Sequence, residues 1–543
     1  MTGMVVLLAA CGGAPTPELP AVVTPDPLRY ETLPAPRLLR RLSLDLRGTL
    51  PTVEELDAVE ADPTAYARIR EAYLSDARFE ERLVDLYQER WNTEVDAYRG
   101  NAYDFGYEMS EEYAFLRAIG AEPLRLAAHV VATDRPYTEI LTADWTMSNE
   151  LLADIFPIDY PAGSTGWTEA RYTDARPAAG VLATNGLWWR YVSPIFNYNR
   201  GRTAAILDLF ICQDILNRPV SFSTPLPAEP GAADAAVLSN EACLSCHATV
   251  EPIAATLFGF LPQDDFSALE MTRYHAERER EGERILGVQA AWYGEPVAGL
   301  GGLAAAIARD HRFADCAVDT VAEGMLRRPT GPTDAALLRD ARDALVTNDM
   351  RLTAAIRSVT DTATYKAGAL AGTVSEADLA RETTARLLVA QQLRSALHDL
   401  TGFTWSRLGA DMLDSDSNGY RVMANGVDGD SLSRPLQAAG LTWALVMQRA
   451  AEAAAQEAAQ QDLGGHRSPV LLDQVDATTP STDPAFRAQL ASLIWRLHAE
   501  RADEGTLVAL TELWNAAADR AGPVNAWATV LAVLLRDPAF LTY

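Results

Sequence analysis

Apolar residues recur at helical spacing along most of this chain, whereas the strict alternation typical of strands is sparse. The stretch 77–91 shows the pattern best, and its apolar stripe consists of Phe79, Leu83, Leu86 and Tyr87. Segments 93–112 and 155–200 are aromatic, contain Gly and Pro and lack a clear period, so we expect long loops there. The pattern predicts a mainly α protein, built from several small helical modules and long irregular loops.

Signals for the start of a helix recur along the chain. Thr52 to Glu55 has the capping-box pattern, and Asp62, followed by Pro63, is expected to cap a helix. An Asp-x-x-Phe pattern recurs, in the stretches Asp76–Phe79, Asp310–Phe313 and Asp537–Phe540, with a looser copy at Asp361–Tyr365. We interpret these repeats as joints between helices, in which Asp caps one helix and the aromatic ring enters the core.

Signals for the end of a helix recur as well. Asp45-Leu46-Arg47-Gly48 returns as Asp399-Leu400-Thr401-Gly402, and each copy closes a predicted helix. Further helices are expected near 203–216, 303–326 and 334–346. The glycines of 299–302 should only break the chain before the helix at Leu303.

Two segments in the second half of the chain have a distinctive composition. Residues 367–374 are expected to form a soft linker before a helix that starts at Ser375. The Ala- and Gln-rich stretch Ala450–Gln461 is interpreted as a plain helix that faces solvent.

Composition limits the possible partners. Among 543 residues, 46 are Lys or Arg and 74 are Asp or Glu, so the net charge is −28. This charge argues against nucleic acid as a partner, because polyanions repel. It is compatible with a cationic redox partner protein.

The segment Cys243-Leu244-Ser245-Cys246-His247 has the attachment pattern of c-type haem. Two thiols one helical turn apart can add to the porphyrin vinyl groups, and His247 then supplies the proximal iron ligand. The chain has only five Cys and seven His, so a chance match is improbable. A Cys-x-x-Cys pair is also half of a zinc site or a redox pair, although the redox pair calls for a βαβ context that is not found here.

The N-terminal run Met4–Gly13 resembles a bacterial lipoprotein box in which Cys11 is lipidated. It departs from the usual signal because no Lys or Arg precedes a rather short apolar run, and the alternative is an ordinary N-terminus with an unpaired Cys. Residues 14–36, rich in Pro and Thr, would tether the lipid to the first domain. No later stretch has the length and apolarity of a membrane span, so the lipid is the expected membrane contact.

Haem attachment and lipidation both take place outside the bacterial cytoplasm, where thiols can pair. They would use Cys11, Cys243 and Cys246. Cys212 and Cys316 then remain, and we expect a disulfide between them that encloses the haem segment. Two separately buried thiols are the competing interpretation. The expected location is the cell envelope, as a periplasmic or outer-membrane lipoprotein.

Several motifs in order resemble the planctomycete-type multidomain cytochrome c proteins, which also occur in myxobacteria. The matching stretches are Arg40–Thr52, Tyr191–Pro194 with Arg200-Gly201, Cys243–His247 with Glu251-Pro252 and Phe258–Phe260, Phe313–Cys316 with Arg328-Pro329, Leu393–Gly402 with Asp416–Tyr420, and Asp537–Leu541. One departure is Glu251, where the family usually has Asp. The resemblance implies a helical haem protein outside the cytoplasm, with no established reaction.

We therefore expect four parts. They are a lipoprotein signal and tether at 1–36, an N-terminal helical domain with long loops at 37–200, a cytochrome c-like haem module at 201–370 and a C-terminal helical domain at 371–543.

The sixth iron position has several candidates by chain distance: Met271, His275, His311, Met325 and Met350. Met325 is favoured because it lies on an apolar helix after Cys316, although most buried Met residues only fill gaps in a core. His275 lies in a charged stretch that is expected to be solvated. The remaining histidines, distant in sequence, are expected on the surface or in the core.

Asp414–Tyr420 starts like a calcium loop, with oxygen ligands at alternate positions and Gly419 at the sharp turn. The twelfth position is Asn425 instead of the bidentate Glu of an EF-hand. An acidic turn whose Asp and Asn side chains bond their own backbone is the preferred interpretation.

The first functional hypothesis is a protein with one covalent haem c that transfers electrons in the cell envelope, alone or within an oxidoreductase assembly. The second is a structural lipoprotein without haem, in which Cys212, Cys243, Cys246 and Cys316 bind one zinc. The third is a haem enzyme with an open iron site, for instance acting on peroxide. No catalytic triad, phosphate loop or dinucleotide fingerprint is present in the sequence, and no catalytic residue is predicted.

Overall fold

The computed structural model describes residues 30–219, 236–237, 239–261, 268–371, 385–429, 432–436, 438–465 and 467–543. It is mainly helical, with 61% helix and 22 α-helices within these ranges, which confirms the mainly α prediction. The lipoprotein box with Cys11, the helix start at Ser375 and His466 lie outside the described residues.

The α-helices of the first half of the described chain are Ala35–Arg47, Val53–Ala61, Ala65–Leu74, Ala77–Trp91, Glu112–Ala132, Glu139–Thr142, Glu150–Ile155, Asn185–Arg190, Arg200–Ile211 and Glu241–Ala254. Those of the second half are Glu281–Leu286, Gly299–Arg309, His311–Leu326, Ala335–Thr347, Leu352–Asp361, Ala363–Lys366, Ala390–Thr401, Leu441–Leu463, Pro484–His498, Glu504–Ala521, Pro523–Leu535 and Pro538–Leu541. Short 3₁₀ helices add Ala102–Phe105, Met109–Glu111, Gly180–Ala183, Ile195–Asn197, Ala255–Phe260, Ala268–Met271, Ala276–Arg278, Pro332–Asp334 and Val422–Ala424. None of the described helices is both long and apolar enough to cross a membrane.

Four small antiparallel sheets accompany the helices in the part of the chain that the structure describes. Their strands pair as Tyr30–Thr32 with Ala367–Leu370, Thr168–Tyr172 between Thr146–Ser148 and Ile158–Asp159, Ala291–Trp292 with Glu295–Pro296, and Ser406–Arg407 with Ala410–Asp411. Two predictions are thereby corrected. The expected linker at 367–374 begins with a strand. The expected loops at 93–112 and 155–200 contain short helices and two of the three strands of one sheet.

The predicted N-caps are present at four joints. Thr52 and Glu55 form the reciprocal capping box. Three Asp side chains each accept a backbone N–H from two residues ahead, namely Asp76, Asp310 and Asp537. The aromatic partners are at most 2% exposed and are Phe79, Phe313 and Phe540. The interpretation of these three copies as structural joints is therefore confirmed. In the looser copy the prediction is wrong about the cap, because Asp361 ends one helix and Thr362 caps the next.

The repeated glycines end helices as predicted. Gly48 (φ 68°) and Gly402 (φ 72°) are left-handed and follow Arg47 and Thr401. A residue with a Cβ would be strained in this conformation, which explains the choice of glycine.

Three helix boundaries differ from the prediction. Asp62 ends the helix Val53–Ala61 instead of starting the next one, and its carboxylate accepts the backbone N–H of Thr64. The expected helix 303–326 is two helices that meet at Asp310, and the glycines of 299–302 lie in the first turn of the first one. The helix expected at 203–216 ends at Ile211.

Two large cores organise the described chain. The larger one contains side chains from Leu38 to Tyr365, with Trp495 and Ala499, so it includes residues from both sides of position 200. The second contains Leu388 to Tyr543, with Leu44 and Leu50. The helix Ala35–Arg47 supplies side chains to both cores and joins them.

The same helix is bonded to the C-terminal segment. The guanidinium of Arg40 donates to the carbonyl oxygens of Phe540 (2.5 Å) and Thr542 (2.7 Å). The hydroxyl of Tyr543 donates to Asp45 at 3.0 Å. Arg40 is 1% exposed, so these carbonyl groups accept the hydrogen bonds of two nitrogens of a buried cation.

The alanine-rich helix is buried, which corrects the solvent-facing interpretation. Within Leu441–Leu463, one face packs against Pro523–Leu535 and is at most 2% exposed. Its buried alanines are Ala450, Ala451, Ala454, Ala455, Ala458 and Ala459. Small side chains on this face allow the two helices to approach closely.

We expect Ala454→Leu to lower the free energy of unfolding by about 1–3 kcal/mol, because Ala454 is fully buried and the added methyl groups force the helices apart. Ala444→Leu on the exposed face of the same helix is the matched control and should change stability little. Urea unfolding of both variants measures the difference. Equal stability of the two variants would contradict close packing at Ala454.

Asp310 should make folding stability depend on pH. Burial raises the pKa of this carboxyl, but bonds from the Arg312 side chain and backbone and from Trp292 outweigh it and lower the pKa to about 2. Since the unfolded value is about 3.9, the stabilisation is complete above about pH 4 and is lost as the pH falls towards 2.

Asp310→Asn keeps a capping side chain but removes the charge. We expect it to cost about 1–3 kcal/mol near neutral pH, and this difference from the wild type should shrink between about pH 4 and pH 2. Urea unfolding across this range measures it. Asp340→Asn, on an exposed carboxylate, is the control. A pH-independent difference for Asp310→Asn would show that its charge is not the cause.

Candidate functional site

The Cys-x-x-Cys-His motif lies in the first half of the helix Glu241–Ala254, which we call the motif helix. Asn240 caps it and accepts the backbone N–H groups of Ala242 and Cys243. Cys243, Cys246 and His247 stand at positions i, i+3 and i+4, and residues with this spacing share one face of a helix. The helix therefore presents both thiols and the imidazole to the same side.

Both thiols of the motif are unpaired and partly exposed. The Nδ1 atom of His247 lies 2.6 Å from a carboxylate oxygen of Glu251, one turn further along the motif helix. An ionised carboxylate only accepts hydrogen bonds, so Nδ1 carries the proton and Nε2 is the basic nitrogen. Nε2 has no hydrogen-bond partner among the described residues. The imidazole is thus oriented with Nε2 free of protein hydrogen bonds in the described part of the chain.

Glu251 is a buried carboxylate, 1% exposed, held by two cationic or donor groups. Besides His247, it accepts a hydrogen bond from Nε of Arg200 at 2.7 Å. Burial raises its pKa, but the hydrogen bonds from His247 and Arg200 outweigh burial and hold the pKa of Glu251 below its ordinary value. The carboxylate is therefore negatively charged beside the histidine.

Arg200 is positioned by the turn before its helix. Asn199 adopts a left-handed conformation (φ 65°), and its backbone N–H donates to the hydroxyl of Ser193. The next arginine, Arg202, donates to the carbonyl oxygens of Tyr191 and Phe260. These bonds bring together the stretches 191–194, 200–201 and 258–260, which carry the family resemblance, beside the motif helix.

The turn that follows the motif helix requires glycine at position 259. A Cβ on Gly259 would lie 2.1 Å from the ring of Tyr274. The Gly259 carbonyl accepts the backbone N–H of His275. The ring of Tyr274 therefore packs directly on the backbone of this turn.

The candidates for the sixth iron position lie in different surroundings. His275 is buried, with 1% exposure, which corrects the expectation of a solvated side chain. Its Nε2 atom lies 3.0 Å from the Glu270 carbonyl oxygen, and its Nδ1 atom lies 3.3 Å from the Glu277 carboxylate. The other candidates are Met271, buried among aromatic rings, Met325, buried in the larger core, Met350, partly buried against that core, and His311, largely exposed.

Met325 is only 2% exposed, and the helix that carries it packs against Arg200–Ile211, Ala335–Thr347 and Leu352–Asp361. Iron ligation by Met325 would require the haem edge to enter this core. Its role as sixth ligand stays a prediction.

A disulfide joins Cys212 and Cys316. This is the pair predicted from the two cysteines that remained after lipidation and haem attachment were assigned. It connects the end of Arg200–Ile211 to the helix His311–Leu326, and Cys316 is buried. Disulfide sulfurs are not thiolate ligands, so these two residues do not belong to a four-cysteine zinc site. Within the described ranges, no cluster of three or more His, Cys, Asp or Glu side chains is arranged to hold a metal ion.

The acidic turn at 414–420 is occupied by protein groups. Asp414 accepts the Tyr113 hydroxyl at 2.6 Å and pairs with Arg117 and Arg394. Asp416 accepts from Arg421 and from the backbone N–H of Val422. The carboxylates of Asp414 and Asp416 are thus engaged with arginines, a tyrosine hydroxyl and a backbone N–H.

Comparison with known proteins finds no match among protein-family models, curated proteins or solved structures. The motif helix and its contacts are therefore the structural features that bear on function. Sequence inspection identified the thiols and the imidazole by their spacing. It missed the role of Glu251, although the i, i+4 spacing from His247 was a usable signal. Arg200 carries no such local signal, because it lies 51 residues before Glu251.

Proposed function

We propose that this chain is a c-type haem protein of the bacterial cell envelope that transfers electrons, as its resemblance to planctomycete-type cytochrome c proteins implies. One observation supports the proposal best. A single helix face presents two unpaired thiols and a histidine whose Nδ1 is bonded to a buried carboxylate, leaving Nε2 available.

Each residue of the motif has a defined part in holding the haem. Each thiol of Cys243 and Cys246 adds across one vinyl group, so that a C–S bond forms and the proton goes to the other vinyl carbon. No oxidant is needed for this addition. His247 supplies its Nε2 as the proximal ligand, and Glu251 fixes the plane and tautomer of the ring. When bound, the haem supplies a one-electron couple.

The envelope location accommodates the remaining cysteines. The Cys212–Cys316 disulfide is of the kind found in oxidising compartments. We propose lipidation at Cys11 as the membrane attachment. The net charge of −28 favours a cationic redox partner and disfavours nucleic acid.

The test is to produce the protein together with the haem-attachment machinery and to record its reduced-minus-oxidised spectrum. We expect the bands of haem c, and haem that stays with the protein in acidified organic solvent. Haem that extracts fully, or a protein without haem, would overturn the proposal. Rapid binding of carbon monoxide to the reduced iron would favour the enzyme with an open iron site over the electron carrier.

A further inference from the structure

The pair formed by Glu251 and Arg200 has a consequence for the iron site. This step rests on the proposed function, since it concerns the haem that His247 would ligate. The side chains of His247 and Arg200 meet at one carboxylate oxygen of Glu251. His247 Nδ1 lies 2.6 Å and Arg200 Nε 2.7 Å from this oxygen, Oε1. The second oxygen, Oε2, is buried and has no hydrogen-bond partner among the residues that the structure describes.

We infer that Glu251 is a positioning residue that gives the iron-bound imidazole anionic character and lowers the reduction potential, and that Arg200 limits this effect. A carboxylate that accepts a hydrogen bond from Nδ1–H raises the basicity of the imidazole at Nε2. A more basic ligand stabilises ferric over ferrous iron. Arg200 withdraws charge from the same oxygen. The balance between the two side chains therefore sets the electron density on Nε2.

The surroundings strengthen the interaction. Glu251 has a side chain only 2% exposed, whereas that of His247 is 25% exposed and that of Arg200 is 20% exposed. A buried charge is poorly screened by solvent, so its hydrogen bond is stronger than one at the surface. Both Glu251 and His247 lie on the motif helix, one turn apart, so the geometry is fixed by the backbone.

The inference predicts opposite shifts for two variants. Glu251→Gln keeps the size of the side chain but removes its charge, and should raise the midpoint potential. We expect at least a tenfold shift of the ferrous-to-ferric ratio at fixed potential, which is about 59 mV for a one-electron couple. Arg200→Gln leaves the carboxylate uncompensated and should lower the potential.

A matched control separates the hydrogen bond from simple charge. Glu241→Gln removes the same charge from the exposed first turn of the motif helix, and in the described part of the chain Glu241 is not bonded to His247. Redox titration should show a much smaller shift for this variant. The Fe–His stretching frequency of the ferrous haem should fall in Glu251→Gln and stay unchanged in Glu241→Gln, which a merely structural role would not produce. Glu251→Asp keeps the carboxylate, so its midpoint potential and Fe–His frequency should lie between those of the wild type and Glu251→Gln.

The outcomes distinguish the inference from the proposed function. Absence of covalent haem in the wild type would overturn the proposed function itself. Haem attached normally, but with the same potential and Fe–His frequency in Glu251→Gln and wild type, would overturn only the role of Glu251. If Glu251→Gln fails to fold, Arg200→Gln decides: a potential unchanged or raised contradicts the inference.

Discussion

Replacing Cys212 with alanine is expected to lower the free energy of unfolding by roughly 4–5 kcal/mol, less any strain in the native bridge, because the disulfide closes a long loop in the unfolded chain. The bridge spans 104 residues and encloses the motif helix. The size of the effect is informative because Cys212 itself is exposed. An exposed thiol that was not bridged would contribute little packing.

Urea unfolding of Cys212→Ala, Cys316→Ala and the double variant measures this contribution. The exposed single variant should lose most of the stability that the double variant loses. Adding a reductant to the wild type should reproduce the loss, and the double variant should not respond to it. A Cys212→Ala protein as stable as the wild type under oxidising conditions would show that the bridge does not form.

The second large effect concerns haem attachment. Replacing Cys243 and Cys246 together with alanine should reduce covalently bound haem from one per chain to none. Either single variant should retain at most one thioether, and His247→Ala should change the spectrum by removing the proximal nitrogen. Intact mass and the pyridine haemochrome spectrum report the number of thioethers.

Ser245→Ala provides the matched control in the same helical turn. Its hydroxyl donates to the Ala242 carbonyl at 2.6 Å and lies 3.9 Å from Sγ of Cys246, but the proposed thiol addition does not require a hydroxyl. We expect this variant to carry normal haem. A double cysteine variant whose haem survives acid extraction would contradict attachment at these thiols.

Features that depend on neighbours in sequence could be predicted. The Asp N-caps and the glycines at helix ends could be predicted from sequence. An N-cap bonds to a backbone N–H of its own turn, and a left-handed glycine ends the helix that precedes it. The motif helix belongs to the same class, since three positions one turn apart define its chemistry. The disulfide prediction rested on the count of cysteines, and no spatial argument was available from sequence.

Features that depend on partners distant in sequence could not be predicted. Alanine is a weak signal in a hydrophobicity pattern. Ala454 is buried because its helix packs against Pro523–Leu535 and Ala390–Thr401, which are distant in sequence. The strand Ala367–Leu370 exists because Tyr30–Thr32 pairs with it. The acidic turn resembles a calcium loop in sequence. In the structure, however, the carboxylate of Asp414 pairs with Arg117 and Arg394.

The bonds between the helix Ala35–Arg47 and the C-terminal segment have a consequence for the order of folding. Arg40 and its acceptor on Phe540 are 500 residues apart. At synthesis rates of about 5–20 residues per second, that separation is roughly 25–100 s of translation. During that interval, the helix cannot bury its guanidinium with its final partners. The two ends therefore meet late, and contacts of such high sequence separation should make this encounter a slow step of folding.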